Sequence, residues 1–172
     1  FRSMQEFLSE QSPGRGSLME QAIATVFSSG GKQQWDHTWE TAGVRGSASS
    51  LIDIDHFKAV NDTRGHQVGD EVIAGVGKIA KVLSRMSDTP GRWGGEEFTI
   101  LLIDCNAQEA QKRTQTLKEA IENNNSLEYL VKHNVTASFG ITEVTKDDSI
   151  DSVIQRADNA MYTSKKEGKN RI

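Results

Sequence analysis

Ser49-Ser-Leu-Ile-Asp53-Ile-Asp55-His-Phe-Lys58 decides how this chain is read, together with Gly94-Gly-Glu-Glu-Phe98 downstream. Ser49 to Ile54 has the residues of a strand and delivers Asp53 and Asp55 at its end. Carboxylates two apart fall on the same side of an extended chain. Withdrawn from water they repel each other and need a compensating charge. Mg²⁺ supplies one, being hard and usually held by one or two carboxylates plus substrate phosphates. The plainer reading is that the two acids cap the next helix. Gly94 and Gly95 permit a tight primed hairpin turn and close approach of a ligand. Glu96 and Glu97 follow at once, where a solvated turn with surface acids is the plainer reading.

Working outward, His56 to Asn61 reads as a helical turn and Asp62 to Gly69 as a loop broken by Gly65 and Gly69. Asp70 to Leu83 predicts a helix, with Val72, Val76, Ile79 and Leu83 on one face. Arg92–Trp93 and Phe98–Ile103 form the hairpin arms. Ala107 to Ile121 predicts a helix, Asn123 to Asn125 a loop, Val135 to Thr142 a strand and Ile150 to Ser164 a helix. Gly168 and Asn170 make a turn before a final edge, Arg171–Ile172. The order predicts an α/β (α+β) sandwich with a mixed, mostly antiparallel central sheet flanked by helices. Its active edge falls where the Asp53 strand end meets the Gly94–Gly95 hairpin. Upstream, Met4, Phe7 and Leu8 have helical spacing and predict a linker helix over 1–12 arriving from a preceding region. Residues 13–172 then form one domain. Leu18 to Phe27 reads as a helix, and 28–50 is the least readable stretch.

The composition narrows the function. The 172 residues carry 20 Lys plus Arg against 24 Asp plus Glu, a net charge of −4 that argues against a generic nucleic-acid binder. A nucleotide substrate stays open, because a few local cations and a metal can hold phosphates. The single Cys105 excludes an internal disulfide framework and a Cys-rich zinc site. No apolar run approaches the roughly 20 residues of a membrane span.

Cations and base readers complete the candidate set. Lys58 lies one helical turn beyond Asp55, and Lys165, Lys166 and Lys169 cluster near the end of the chain. Such charges suit a triphosphate, and equally suit a solvated helix C-terminus. A carboxylate such as Asp70 can accept two donors from guanine, and Asn61 offers one donor and one acceptor. Read alone, Asn61 is a turn residue and Asp70 a helix N-cap.

Asp53-Ile-Asp-His-Phe-Lys58, Asn61-Asp62, Gly65-His66, Gly69-Asp70 and Gly94-Gly-Glu-Glu-Phe98 together resemble the GGDEF domain of diguanylate cyclases, in its GGEEF form. Ser138-Phe-Gly140, Arg156-Ala-Asp158, Ala160-Met-Tyr162 and Lys165-x-x-Gly-Lys-Asn170 extend the resemblance to the end of the chain. It implies a fold like nucleotidyl cyclases and polymerase palms, and condensation of two GTP into cyclic di-GMP and two pyrophosphates. It implies two Mg²⁺ or Mn²⁺ per half-site, held by Asp53, Glu96 and the Ile54 carbonyl. Glu97 would assist deprotonation or positioning, while the role of Asp55 is left open. Phe57, through its backbone, and Lys58 would meet the triphosphate, Lys165 and Lys169 would hold phosphates, and Asn61 and Asp70 would read guanine. One chain would hold one GTP, so catalysis would need a two-fold homodimer. An upstream sensor domain and a cytoplasmic location, or the cytoplasmic face of a membrane-anchored sensor, follow from the same resemblance.

Arg85-Met-Ser-Asp88 matches the family's Arg-x-x-Asp product-inhibition site, with a charged helix end as the plainer reading. Two departures stand out. The family's Asp-x-Leu-Thr-Gly-Leu-x-Asn-Arg opening is matched only by Pro13-Gly-Arg15, and Lys169 replaces the usual Arg, keeping charge without the bidentate fork. The alternative function is a catalytically silent module that binds GTP or cyclic di-GMP as a signalling receptor. A cyclase of altered base specificity is a third, which Asp70 argues against.

Overall fold

The computed structural model describes residues 46–172. The expectations for 1–45, including the linker helix over 1–12 and the helix from Leu18, lie outside the described residues. Strands β1 (Ala48–Ile54), β2 (Thr89–Gly94), β3 (Glu97–Leu102) and β4 (Ala137–Glu143) form one sheet in the order β2-β3-β1-β4. Every described pairing is antiparallel, which narrows the mostly antiparallel expectation. Helices α1 (Phe57–Arg64), α2 (His66–Leu83), α3 (Ala107–Glu122), α4 (Asn125–Val131) and α5 (Ile150–Lys166) flank it.

β1 is central and buried along its whole length. Its period-2 alternation sorts the two faces. Ala48, Ile52 and Ile54 join Val72, Val76, Leu117, Ile121 and Leu127 in the main core under α2, α3 and α4. Leu51 packs on the other face against Ala157 and Met161 of α5. Asp53 shares the parity of Leu51 and so comes out on the α5 side, at the strand's end. Gly140 lets β4 approach α5 closely: a Cβ there would lie 2.0 Å from the Ala157 carbonyl oxygen. Among the described residues no helix is long and apolar enough to cross a membrane.

Several local expectations need correction. Residues 62–69 are helical apart from Gly65: α1 runs to Arg64 and α2 already starts at His66. Asp70 is therefore inside α2, not its N-cap. Gly69 is a helical residue whose missing side chain makes room for Asn61. The Asn123–Asn125 loop is in part a helix start. The Asn124 side chain accepts the Leu127 N–H and caps α4, which the sequence reading missed. The hairpin turn is not primed, since neither Gly94 nor Gly95 has the positive φ such a turn requires. A bulge between Arg92 and Gly94 changes the register, and the Arg92 guanidinium donates to the Gly95 carbonyl through Nε (3.0 Å) and Nη2 (2.8 Å).

Candidate active site

The acidic edge forms because β1 and β3 end side by side. Asp53 pairs directly with Glu97 in the β1–β3 register, and the Ile54 N–H donates to the Glu96 carbonyl at 3.3 Å. Like charges opposite each other in a sheet are destabilising, so the edge needs a cation. Lys165 of α5 supplies one, its Nζ donating to Asp53 Oδ2 at 2.8 Å. Asp53 is only 7% exposed. Burial pushes its carboxyl above the ordinary value, Lys165 holds it back, and Glu96 and Asp55 push it further up. Burial likewise raises the Glu97 carboxyl, with Asp53 next in effect and Asp158 and Glu96 adding to it. Lys165 is itself raised: its own burial opposes the charge, and Asp53, Glu97 and Glu96 overcome that opposition.

Three carboxylates around one ammonium leave an excess of negative charge on oxygen donors. That is the chemistry of a site for a hard divalent cation. Among the described residues no set of three His, Cys, Asp or Glu forms a ready-made metal cluster.

Asn61 packs against Gly69 across the α1–α2 junction, and Asp70, the next residue of α2, is exposed. The helix–break–helix turn packs Gly69 against Asn61 so closely that a Cβ at Gly69 would lie 1.9 Å from Asn61 Oδ1 and 3.2 Å from Phe57 Cζ. Asn61 Oδ1 is buried without a hydrogen-bond partner among the described residues, an expensive state unless a ligand donor meets it. Lys58 is not gathered to the carboxylates. It is 90% exposed at its side chain and donates to Asp62 Oδ2 at 2.9 Å. Lys169 lies in the turn after α5 and makes no ion pair among the described residues.

Arg85 and Asp88 are close in sequence but differently engaged. Arg85 pairs with Glu109 at 2.8 Å on the surface. The Asp88 side chain is fully buried, accepting the N–H of Arg85 (2.7 Å) and of Ile103 (3.3 Å) and forming an ion pair with Arg113. Arg113, Arg92 and Asp158 interact with the candidate residues or their turn and were not among the sequence candidates. Arg113 reaches Asp88 from 25 residues away, a separation with no local signature.

The candidate site is thus a four-stranded antiparallel sheet with Asp53 and Glu97 paired at the ends of β1 and β3 and Lys165 bound to Asp53. The comparisons specify the kind of domain. A family model described as "Diguanylate cyclase, GGDEF domain" matches residues 30–171, and the chain belongs to that family. It is 37% identical over 157 residues to diguanylate cyclase A of Treponema denticola, covering 91% of this chain and 39% of that protein. It thus spans well under half the length of that relative. The fold is similar to the GGDEF domain of DgcB from Caulobacter crescentus, solved in complex with c-di-GMP (TM-score 0.72, 31% identity, 81% of this chain and 85% of that chain). It is also similar to the active GGEEF domain of a diguanylate cyclase from Vibrio cholerae (TM-score 0.68, 26% identity, 81% and 87%).

Proposed function

We propose that this domain is a diguanylate cyclase half-site that binds one GTP and, facing a second copy, condenses two GTP into cyclic di-GMP and two pyrophosphates. The observation that carries the reading is the acidic edge: Asp53 opposite Glu97, Glu96 in the turn, and Lys165 bound to Asp53. Asp53, Glu96 and the Ile54 carbonyl would hold Mg²⁺ or Mn²⁺, and the ions would supply charge stabilisation at the reacting phosphate and lower the pKa of the 3′-hydroxyl. Glu97, whose carboxyl burial and Asp53 push above the ordinary value, would take or hold a proton at its carboxyl oxygens. Lys165 and Lys169 bind the phosphates, with Lys58 and the Phe57 backbone at the other end of the triphosphate. Asn61 Oδ1, which meets no donor among the described residues, accepts from guanine, and Asp70 accepts the remaining base donors.

Each 3′-hydroxyl must attack the α-phosphate of the other GTP, so a homodimer is part of the reading. Arg85, with Asp88 and Arg113 beside it, forms the product site. The silent-receptor alternative is less favoured because Asp53, Glu96 and Glu97 are all retained. The test is Glu96→Ala: cyclic di-GMP formation falls by about 10²–10³, the cost of deleting one transition-state charge partner. Activity above roughly one-tenth of wild type with the far-UV spectrum preserved would remove Glu96 from the reaction.

A further inference from the structure

Asp55 is the acid to which the proposed reaction assigns no task, yet its carboxylate is the most thoroughly engaged at this edge. It lies one residue beyond β1 and is 7% exposed. Thr136 Oγ1 donates to its Oδ2 at 2.8 Å, Ser138 Oγ donates to its Oδ1 at 2.7 Å, and the Asn170 N–H donates to Oδ2 at 3.0 Å. Three donors from the chain itself occupy most of what one carboxylate can accept.

The Asn170 contact holds an unusual piece of backbone. α5 ends in a Schellman motif: the Lys169 N–H donates to the Ser164 carbonyl at 3.0 Å and the Gly168 N–H to the Lys165 carbonyl at 3.4 Å, with Gly168 at φ 122°. The left-handed run then continues through Lys169 (φ 65°) and Asn170 (φ 48°). A lysine backbone is sterically disfavoured there, so the turn needs ties from outside. Asp55 provides one. Glu122 Oε1 provides another by accepting Asn170 Nδ2 at 3.0 Å, and the Phe139 N–H adds a third by donating to the Arg171 carbonyl at 2.9 Å. The turn carries Lys169, and it terminates the helix whose Lys165 grips Asp53.

We propose that Asp55 is a positioning residue: by clamping the 168–170 turn to the end of β1, it keeps Lys165 and Lys169 in register with Asp53 and so sets the affinity for the triphosphate. It is not a metal ligand in this arrangement, because its oxygens are already committed to hydroxyl and amide donors. The proposal rests on the function above.

The test is Asp55→Asn in the full chain, since an amide nitrogen cannot accept and at least one of the three donors loses its acceptor. Inorganic tripolyphosphate, titrated calorimetrically into metal-free protein, binds the variant about tenfold more weakly, the equivalent of about 1.4 kcal/mol or one charge-assisted hydrogen bond. The KM for GTP rises by a similar factor while kcat changes by less than about threefold, as loss of uniform binding requires. The Mg²⁺ concentration for half-maximal rate at saturating GTP stays where it is. In a Lys169→Ala background the effect of Asp55→Asn shrinks to about twofold or less, because the two act through one turn. Unchanged tripolyphosphate affinity, full additivity with Lys169→Ala, or a shifted Mg²⁺ requirement at constant KM would overturn the proposal. If Asp55→Asn does not fold, Thr136→Val carries the test: it deletes one donor, is expected to weaken tripolyphosphate about two- to threefold, and overturns the proposal if it does not. Wild-type protein that binds neither GTP nor tripolyphosphate would instead overturn the function on which the proposal stands.

Discussion

Arg113→Met strands a buried charge while keeping most of the side-chain volume. The Asp88 side chain has no solvent exposure and that of Arg113 has 17%. Removing one partner of a buried ion pair costs about 3–5 kcal/mol. Asp88 would retain the N–H donors of Arg85 at 2.7 Å and Ile103 at 3.3 Å, and the Arg113 end of the pair is partly wet. Both facts move the expected loss below that range, to about 2–3 kcal/mol. At about 2–4 °C per kcal/mol for a chain of this size, Tm falls by about 4–12 °C. Arg85→Met is the matched comparison. Its pair with Glu109 is 55% and 38% exposed, so its loss stays under about 1 kcal/mol. Urea unfolding followed by circular dichroism, with equal m-values, reads both. A loss under about 0.5 kcal/mol for Arg113→Met, or equal losses in the two variants, would refute the buried-pair reasoning.

Three further outcomes follow from other parts of the structure. Gly69→Ala displaces Asn61, since the new Cβ would lie 1.9 Å from Asn61 Oδ1. Affinity for a non-hydrolysable GTP analogue then falls about tenfold or more by calorimetry, and unaltered affinity removes Asn61 from base recognition. Asp148 is held far below the ordinary carboxylate range chiefly by the Arg156 guanidinium. A depressed folded-state value adds stability that is complete above the unfolded pKa of about 3.9 and is lost as pH falls through the folded value. Asp148→Asn should therefore lose stability less steeply than wild type below about pH 4, and parallel urea midpoints at pH 4 and pH 3 would count against it. Arg85→Ala raises the cyclic di-GMP concentration that halves the initial rate by about tenfold or more, as loss of a charged contact to the ligand demands; an unmoved inhibition curve returns Arg85 to a surface role.

The fold was legible where local pattern carries it. β1 was placed to within a residue because its alternation and its terminal acids are contiguous in sequence. The starts of α2 and α4 were not. Gly69 reads as a breaker, yet it is glycine because Asn61 needs the space. Asn123 to Asn125 reads as a loop, yet Asn124 is a cap. The primed turn failed because the Arg92 side chain and a bulge shape the hairpin in place of left-handed glycines. In the candidate site, the acidic motif residues and Lys165 stand out in the sequence, whereas the partners of Asp55 and Asp88 do not. Asp55 meets residues 81, 83 and 115 positions away, and Asp88 meets one 25 away. Contacts of that range are settled by the packing of sheet and helices, which no short window of sequence contains.

The half-site claim is tested most directly by incubating the chain with GTP and Mg²⁺ over a wide range of protein concentration and separating the nucleotides by chromatography. The account predicts cyclic di-GMP whose initial rate of formation rises more steeply than linearly with protein, approaching second order where the dimer is scarce. GTP binding without any cyclic di-GMP at the highest concentrations, where two half-sites must meet, would contradict it and leave a silent nucleotide-binding module.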